Sequence, residues 1–436
     1  MQIEPRIQLF VFGGEVEMTT RHKMKKKCIL LIPPQELPIP AVGGGAIETL
    51  ITNLLDENEI YNKVRFVVIS ANDIEASKFN YRNSKIYYFE NGTIVNRQMK
   101  KFFQIKFYIL RVINKLKRIL KKLGITVTKW NDYIIYPEYF YFQCYQIAKK
   151  EKADIVISEG DWHTEAYPIF YDLVGRENIY YHLHCEIEES IETRVCIPNS
   201  ISISQYVKNK WVKNKNIEGN NFVLYNCIDI QKFTIELEYE NRLRLRSELK
   251  ICENEILVVF CGRLIPEKGV SELLDAFEMM KDYPIKLIVI GSSDFSKGNN
   301  SVYSERIVSR IEQMDSVLYL GYVPNEKMPI YYHIADIQVI PSLCQEGAGL
   351  VAIEGMASGL PLIITESGGM IEYVDDYCAI KIPIDDNVSV NLCNEILKLS
   401  KSSDLRKKMG NAGKNRAQLF TKKRFYSTFI NGFGLN

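Results

Sequence analysis

The sequence predicts an α/β protein built as two doubly wound domains, each a parallel sheet with helices on both faces. Short apolar, β-rich runs alternate with helical patterns along most of the chain, and such alternation makes parallel sheets covered on both sides. The runs form two series, separated by a charged stretch from Glu236 to Lys250. At 436 residues the chain is long enough for two separate cores.

In chain order, residues 1–23 read as an N-terminal extension, with Met24 as an alternative start. Lys25-Lys26-Lys27 precedes only about five apolar residues, too few for a secretory signal, so these form the first strand instead. The first domain is expected over 24–226, with strands at 28–32, 64–69, 85–89, 154–158, 179–184, 200–204 and 222–226. A linker at 227–253 leads to a second domain over 254–415. Its strands are expected at 256–260, 286–290, 317–320, 336–340, 361–365 and 378–382, with helical runs at 270–280, 304–314 and 350–357. Residues 416–436 carry aromatics at near-helical spacing and read as a C-terminal helix.

Composition narrows the function. Hydrophobic residues are 46% and charged residues 25% of the chain, as in a soluble globular protein. A net charge of +2 argues against a general nucleic-acid binder. Ten cysteines without a C-x-x-C pair fit a reducing cytosol and argue against a disulfide framework or zinc site. No apolar run reaches the ~20 residues of a membrane span.

The densest chemical signal is Pro341-Ser342-Leu343-Cys344-Gln345-Glu346-Gly347-Ala348-Gly349-Leu350-Val351-Ala352-Ile353-Glu354. It follows a β-type run and opens a helix. Glu346 therefore sits on a strand-to-helix loop and Glu354 in the first turns of the helix. A carboxylate, backbone N–H groups and a helix N-terminus at one point suit a ligand with hydroxyls at one end and a phosphate in the middle. The bland alternative is a pair of acids stabilised by the helix dipole.

Some 80 residues earlier, Phe260-Cys261-Gly262-Arg263-Leu264-Ile265-Pro266-Glu267-Lys268-Gly269 delivers two cations just past a buried strand. Placed there, Arg263 and Lys268 can neutralise a diphosphate as it leaves. Gly321-Tyr322-Val323-Pro324-Asn325 forms another strand-to-helix turn, with Asn325 as its cap. Gly368-Gly369 either lets backbone approach a ligand or makes a structural turn. In the first half, Gly43-Gly44-Gly45 follows the first strand and opens a helix, a weak signal for close backbone approach to an anion. It is not G-x-G-x-x-G, which argues against a nicotinamide or flavin site. His182 and His184 fall on one face of their strand, with His184 at its carboxyl end. Nearby Cys185 and Glu186 complete no zinc spacing. Asp161-Trp162-His163 also follows a strand.

The E-x7-E segment, the Arg263–Lys268 block and the first-domain glycine loop resemble the donor-site motifs of retaining glycosyltransferases of family 4, of the type that builds bacterial surface polysaccharides. The resemblance covers most of the chain from Met24 and is most specific in the second half. It implies a GT-B fold, with a cleft between the domains and the C-terminal helix crossing back onto the first. It implies a nucleotide-diphosphate sugar as donor, a UDP-sugar favoured, with no metal and no cofactor. Glu354 would hold the ribose hydroxyls, Glu346 the donor-sugar hydroxyls, and Arg263 and Lys268 the diphosphate. Gly347, Gly349 and Leu350 would lie along the donor, and Tyr322 and Val323 beside its base. Gly44, Gly45 and His184 would complete the site from the first domain. The implied acceptor is a saccharide or lipid-linked saccharide in capsule, O-antigen or related synthesis at the inner face of the plasma membrane. A nucleotide-sugar epimerase on the same fold and a non-catalytic donor-binding partner are the alternatives. Two positions depart from the pattern: Ala348 where the family often has Phe, and Cys227 where Asn226-Cys227-Ile228-Asp229 would carry glycine.

From Arg97 to Trp130 there is no acidic residue, and Ile105, Ile109, Val112, Leu116, Ile119 and Leu123 step by three and four. One apolar and one cationic face suit an anionic bilayer, although core-packed helices with a solvated basic face share the pattern. Residues 100–122 are therefore expected to make peripheral membrane contact. Each basic residue near such a surface contributes on the order of 1 kcal/mol, weakened by salt. Wild type should co-sediment with anionic liposomes at low salt, and a variant with Lys115, Lys117, Arg118, Lys121 and Lys122 changed to Glu should not. Equal binding by both, or none by wild type, contradicts this reading.

Overall fold

The computed structural model describes residues 26–89, 139–160, 164–187, 196–212, 218–235, 237–292 and 301–435. The extension at 1–23, the basic segment at 100–122 and Asp161-Trp162-His163 lie outside the described residues.

Seven strands form the first sheet: β1 (Cys28–Ile32), β2 (Arg65–Ala71), β3 (Ser84–Phe89), β4 (Ile155–Glu159), β5 (Ile179–Leu183), β6 (Asn199–Ser202) and β7 (Asn221–Val223). They run in the order β3-β2-β1-β4-β5-β6-β7, and every paired neighbour is parallel. Six form the second: β8 (Ile256–Cys261), β9 (Ile285–Ile290), β10 (Val317–Gly321), β11 (Ile337–Ile340), β12 (Leu362–Thr365) and β13 (Ala379–Ile382). Their order is β10-β9-β8-β11-β12-β13, again all parallel. This is the expected pair of doubly wound sheets.

Period two divides each apolar run between two cores. In β1, Ile29 and Leu31 face the cluster that holds Leu50 and Leu54, while Leu30 and Ile32 face the one that holds Tyr141 and Trp211. In β8, Leu257 and Val259 enter one core and Val258 and Phe260 the other. Burial on both sides is why these runs are continuously apolar instead of alternating.

In each sheet the strand order reverses at the centre, between β1 and β4 and between β8 and β11. Loops leaving the carboxyl ends of such a pair diverge to opposite faces and leave a crevice, the usual ligand position in open α/β sheets.

Among the described residues, several contacts join the domains. The helix Lys422–Gly432 returns to the first domain, where Phe425, Tyr426, Phe429 and Ile430 enter its core and Tyr426 Oη donates to Asn58 Oδ1 at 2.6 Å. Glu372 of the second domain accepts from the backbone N–H groups of Gln205 and Tyr206, both at 2.7 Å, satisfying the start of the helix Gln205–Trp211. The Tyr373 hydroxyl donates to the Ile203 carbonyl at 2.6 Å and accepts from Asn226 N–H at 3.0 Å.

From Ile228 on, the described residues of the 227–253 linker pack onto the second domain. Ile228, Ile230, Phe233 and Ile251 enter its core. Arg242 and Arg246, on the helix Tyr239–Glu248, both bind Asp336, at 2.7 and 3.0 Å. Cys227 does not adopt positive φ; it is buried in the first-domain core and its Sγ accepts from Asn53 Nδ2 at 3.6 Å. Cysteine at this turn therefore carries no backbone strain. Among the described residues, no helix is long and apolar enough to cross a membrane.

Candidate functional site

Arg263 and Lys268 leave the carboxyl end of β8, and Glu346 leaves that of β11. These are the two strands at the second sheet's reversal point, so chain order alone brings the three residues to one crevice. Leu343 N–H donates to the Glu267 carbonyl at 2.8 Å, laying the two loops side by side. Lys268 Nζ and the Glu346 carboxylate form an ion pair. Ser342 Oγ donates to the same carboxylate oxygen at 2.6 Å. Arg263 is exposed at the rim.

The Glu346 loop is fixed from the next strand as well. Its N–H donates to Ser367 Oγ at 2.9 Å, Gly369 N–H donates to the Glu346 carbonyl at 2.6 Å, and Gly368 N–H donates to Gln345 Oε1 at 2.7 Å. A Cβ on Gly368 would strike the Glu346 backbone, and one on Gly369 would strike Ser204 and the Gly347 carbonyl. The glycine pair thus serves close approach of protein to protein.

Glu354 lies in the second turn of the helix Leu350–Ala357, which starts at Gly349 with no side-chain cap. Its Oε2 accepts from the buried Tyr332 hydroxyl at 2.8 Å. Burial pushes the carboxyl up to about 7, and the Tyr332 bond acts the other way. Cys261, at the end of β8, belongs to the same group; burial and then the Glu354 charge push its thiol up to about 12. Leu350 and Val323 pack against the core beneath the crevice, while Tyr322 is 57% exposed on the loop after β10.

The first domain meets this crevice at Gly347. A Cβ there would lie 3.3 Å from the His184 carbonyl and 3.1 Å from Ile203 Cδ1. Ala348 packs against the cores of both domains, so a small residue sits where they touch. His184 follows β5, and its Nε2 lies 3.1 Å from Glu159 Oε2; His182 Nδ1 lies 2.7 Å from the same oxygen. Glu159 ends β4 and is buried. Gly44 and Gly45, after β1, both have positive φ, of 84° and 95°. Space around Gly44 is open, but the side chain of Glu48 folds over Gly45. Burial raises the Glu48 carboxyl. An acid at that spot works against a phosphate there.

Sequence reasoning missed Glu159, Tyr332, Ser342, Ser367 and Glu372. An acid closing an apolar strand was the available signal for Glu159. Ser342 and Ser367 flank motifs already singled out. Tyr332 and Glu372 have no local signature.

Residues 241–416 match the family model described as Glycosyl transferases group 1. The chain is 34% identical over 137 residues to a lipopolysaccharide 1,2-N-acetylglucosaminetransferase of Salmonella typhimurium, covering 30% of this chain and 36% of that protein. It is 27% identical over 232 residues to the capsular polysaccharide biosynthesis glycosyltransferase CapM of Staphylococcus aureus, covering 51% and 57%. The chain thus spans roughly a third to just over half the length of most of the curated relatives it matches. The fold matches a glycosyltransferase from Rickettsia africae with a TM-score of 0.70 at 16% identity, over 93% of this chain and 97% of that one. It also matches Anabaena HepE, solved with UDP and glucose, with a TM-score of 0.65 at 18% identity, over 93% and 98%. The architecture is GT-B: two Rossmann-like domains of the kind these glycosyltransferases share.

The position of Glu354 makes a stability prediction. A carboxyl raised in the folded state from 4.5 to about 7 holds its proton more tightly there than in the unfolded chain. Its favourable contribution is complete below pH 4.5 and is lost as pH rises through 7. Glu354→Gln keeps an acceptor for Tyr332 and removes the buried charge. At pH 8 the variant should be more stable than wild type by about 1–3 kcal/mol, and by pH 5 the gain should vanish. Denaturant melts at the two pH values check this; equal stability at pH 8 contradicts the placement of Glu354.

Proposed function

We propose that the chain is a retaining glycosyltransferase that moves a sugar from a nucleotide-diphosphate sugar, a UDP-sugar favoured, to a saccharide or lipid-linked saccharide acceptor in surface-polysaccharide synthesis. The carrying observation is the ion pair of Lys268 and Glu346 at the β8/β11 reversal point, with Glu354 one helical step away and His184 across the domain contact. A cation for phosphate lies beside a carboxylate for sugar hydroxyls, and Glu354, on the helix that follows Glu346, is the carboxylate assigned to the ribose. The group 1 family match over 241–416 and the relatives in lipopolysaccharide and capsule synthesis support the same reading.

In the reaction the bond between the anomeric carbon and the β-phosphate oxygen breaks, and the nucleoside diphosphate leaves with the electron pair. An acceptor hydroxyl oxygen bonds to the anomeric carbon on the face the diphosphate vacates, and its proton passes to the departing phosphate oxygen. Arg263, Lys268 and the uncapped start of the Leu350–Ala357 helix oppose the growing negative charge. Lys268 is shared between Glu346 and phosphate when donor binds, so the ion pair preorganises the cation. Glu346 takes the sugar hydroxyls and Glu354 the ribose hydroxyls. Two cations do the leaving-group work, so no metal or cofactor is assigned. The acceptor is placed at the inner face of the plasma membrane, where lipid-linked intermediates are found.

Lys268→Ala and Glu346→Ala should each lower turnover by about 10²–10³, the cost of losing one preorganised charge-stabilising group. Folding should be retained, and wild-type activity should survive EDTA. Release of nucleotide from a panel of nucleotide sugars is the assay. Near-wild-type turnover in both variants, or loss in EDTA reversed by Mn²⁺, contradicts the assignment.

A further inference from the structure

Glu159, His182 and His184 bring three metal-ligand types within 4.8 Å of one another, outside the donor motifs. The distances suit shared protons better than a cation. His182 Nδ1 lies 2.7 Å from Glu159 Oε2. That is the length of a charge-assisted hydrogen bond. Two ligands on one zinc ion at 2.0–2.1 Å would stand roughly 3.3 Å apart. Both imidazoles converge on the same oxygen, and Oε1 is buried without a protein partner.

We propose that Glu159 is a positioning residue that fixes the ring orientation and tautomer of His184. Glu159 ends β4, His182 is its register partner on β5 and His184 comes just after that strand, so the sheet register sets the contact. A carboxylate only accepts, so His182 is protonated on Nδ1 and His184 on Nε2. His184 Nδ1 is then a lone-pair acceptor. The two rings lie 4.1 Å apart at 45°, so His182 also blocks rotation of His184. The other flank of His184 is closed by Gly160, where a Cβ would come within 3.1 Å of its Cδ2. The ring is thus held on three sides, and the carbonyl of the same residue faces Gly347. Burial and His182 push its pKa down to about 4, and the two imidazoles hold Glu159 near 2 against its own burial. His184 consequently presents a neutral ring that accepts a hydrogen bond from a substrate hydroxyl, while the reacting hydroxyl's proton passes to the departing phosphate oxygen.

The catalytic consequence rests on the transferase reading; the tautomer does not. The test is a long-range ¹H–¹⁵N correlation spectrum of protein labelled with ¹⁵N-histidine at pH 7, on wild type and Glu159→Gln. Wild type should show His184 as a single neutral Nε2–H tautomer and His182 as Nδ1–H. In Glu159→Gln the His184 nitrogens should move toward each other as tautomers mix, and kcat should fall about 10–100-fold with donor KM little changed, as when an orienting partner is lost. A protonated or mixed His184 in wild type, or an unchanged His184 in the variant, overturns the proposal. So does a stoichiometric shift of both histidines on adding Zn²⁺, which would assign the cluster to a metal. If the variant does not fold, the wild-type spectrum and zinc titration still decide. A fixed tautomer in a protein without transferase activity would sink the functional reading and leave this one intact.

Discussion

The loop from Pro341 to Gly349 is the constraint on which the rest of the site depends, because it is touched from three directions at once. Lys268 and the Glu267 carbonyl hold it from the β8 side. Ser367, Gly368 and Gly369 hold it from the β12 side. Ile203 and the His184–Cys185 backbone press on Gly347 from the other domain. A side chain at 368 or 369 would collide with backbone, and one at 347 would sit tightly against Ile203 and the His184–Cys185 backbone. The glycines cost conformational entropy in the unfolded chain, and in return Glu346 is set by hydrogen bonds to its own backbone before any ligand arrives. Preorganisation of that kind is what makes a fixed charge effective against charge that develops during reaction.

Two buried carboxylates show how surroundings alone divide the work. Glu354 has one neutral partner, the Tyr332 hydroxyl, and burial drives its carboxyl up to about 7. Glu159 is the more buried by surface, yet two imidazole N–H groups hold it near 2. The first is raised toward neutrality beside the β8/β11 crevice; the second is held as an anion inside the opposite sheet. Opposed shifts in like residues are the pattern by which a fold separates roles among acids. Glu372 makes a third use of a carboxylate, closing a helix start across the domain joint.

What the sequence made legible is what depends on short range. Continuous apolar runs announced the strands, and thus two sheets, because burial on both faces needs no partner to be known. Arg263, Lys268, Glu346 and Glu354 were visible because loop, strand end and helix start are consecutive in the chain. Glu159 was hidden because its partners lie 23 and 25 residues on and become neighbours only when β4 pairs with β5. Glu372 was hidden more deeply, since its helix start lies 166 and 167 residues away. Gly368-Gly369 read equally as a ligand approach or a turn, because a glycine reports that something is close without reporting what. Cys227 read as a departure from a glycine turn, whereas its backbone avoids positive φ and its side chain fills a core.

The central claim is that Lys268 and Glu346 form a preset donor site at the β8/β11 reversal, completed by Glu354. A crystal structure with UDP bound tests it most directly. The account predicts phosphate oxygens within hydrogen-bonding distance of Lys268 Nζ and the Arg263 guanidinium, and both ribose hydroxyls on the Glu354 carboxylate. Phosphates lodged elsewhere, with the Lys268–Glu346 pair closed over an empty crevice, would contradict it.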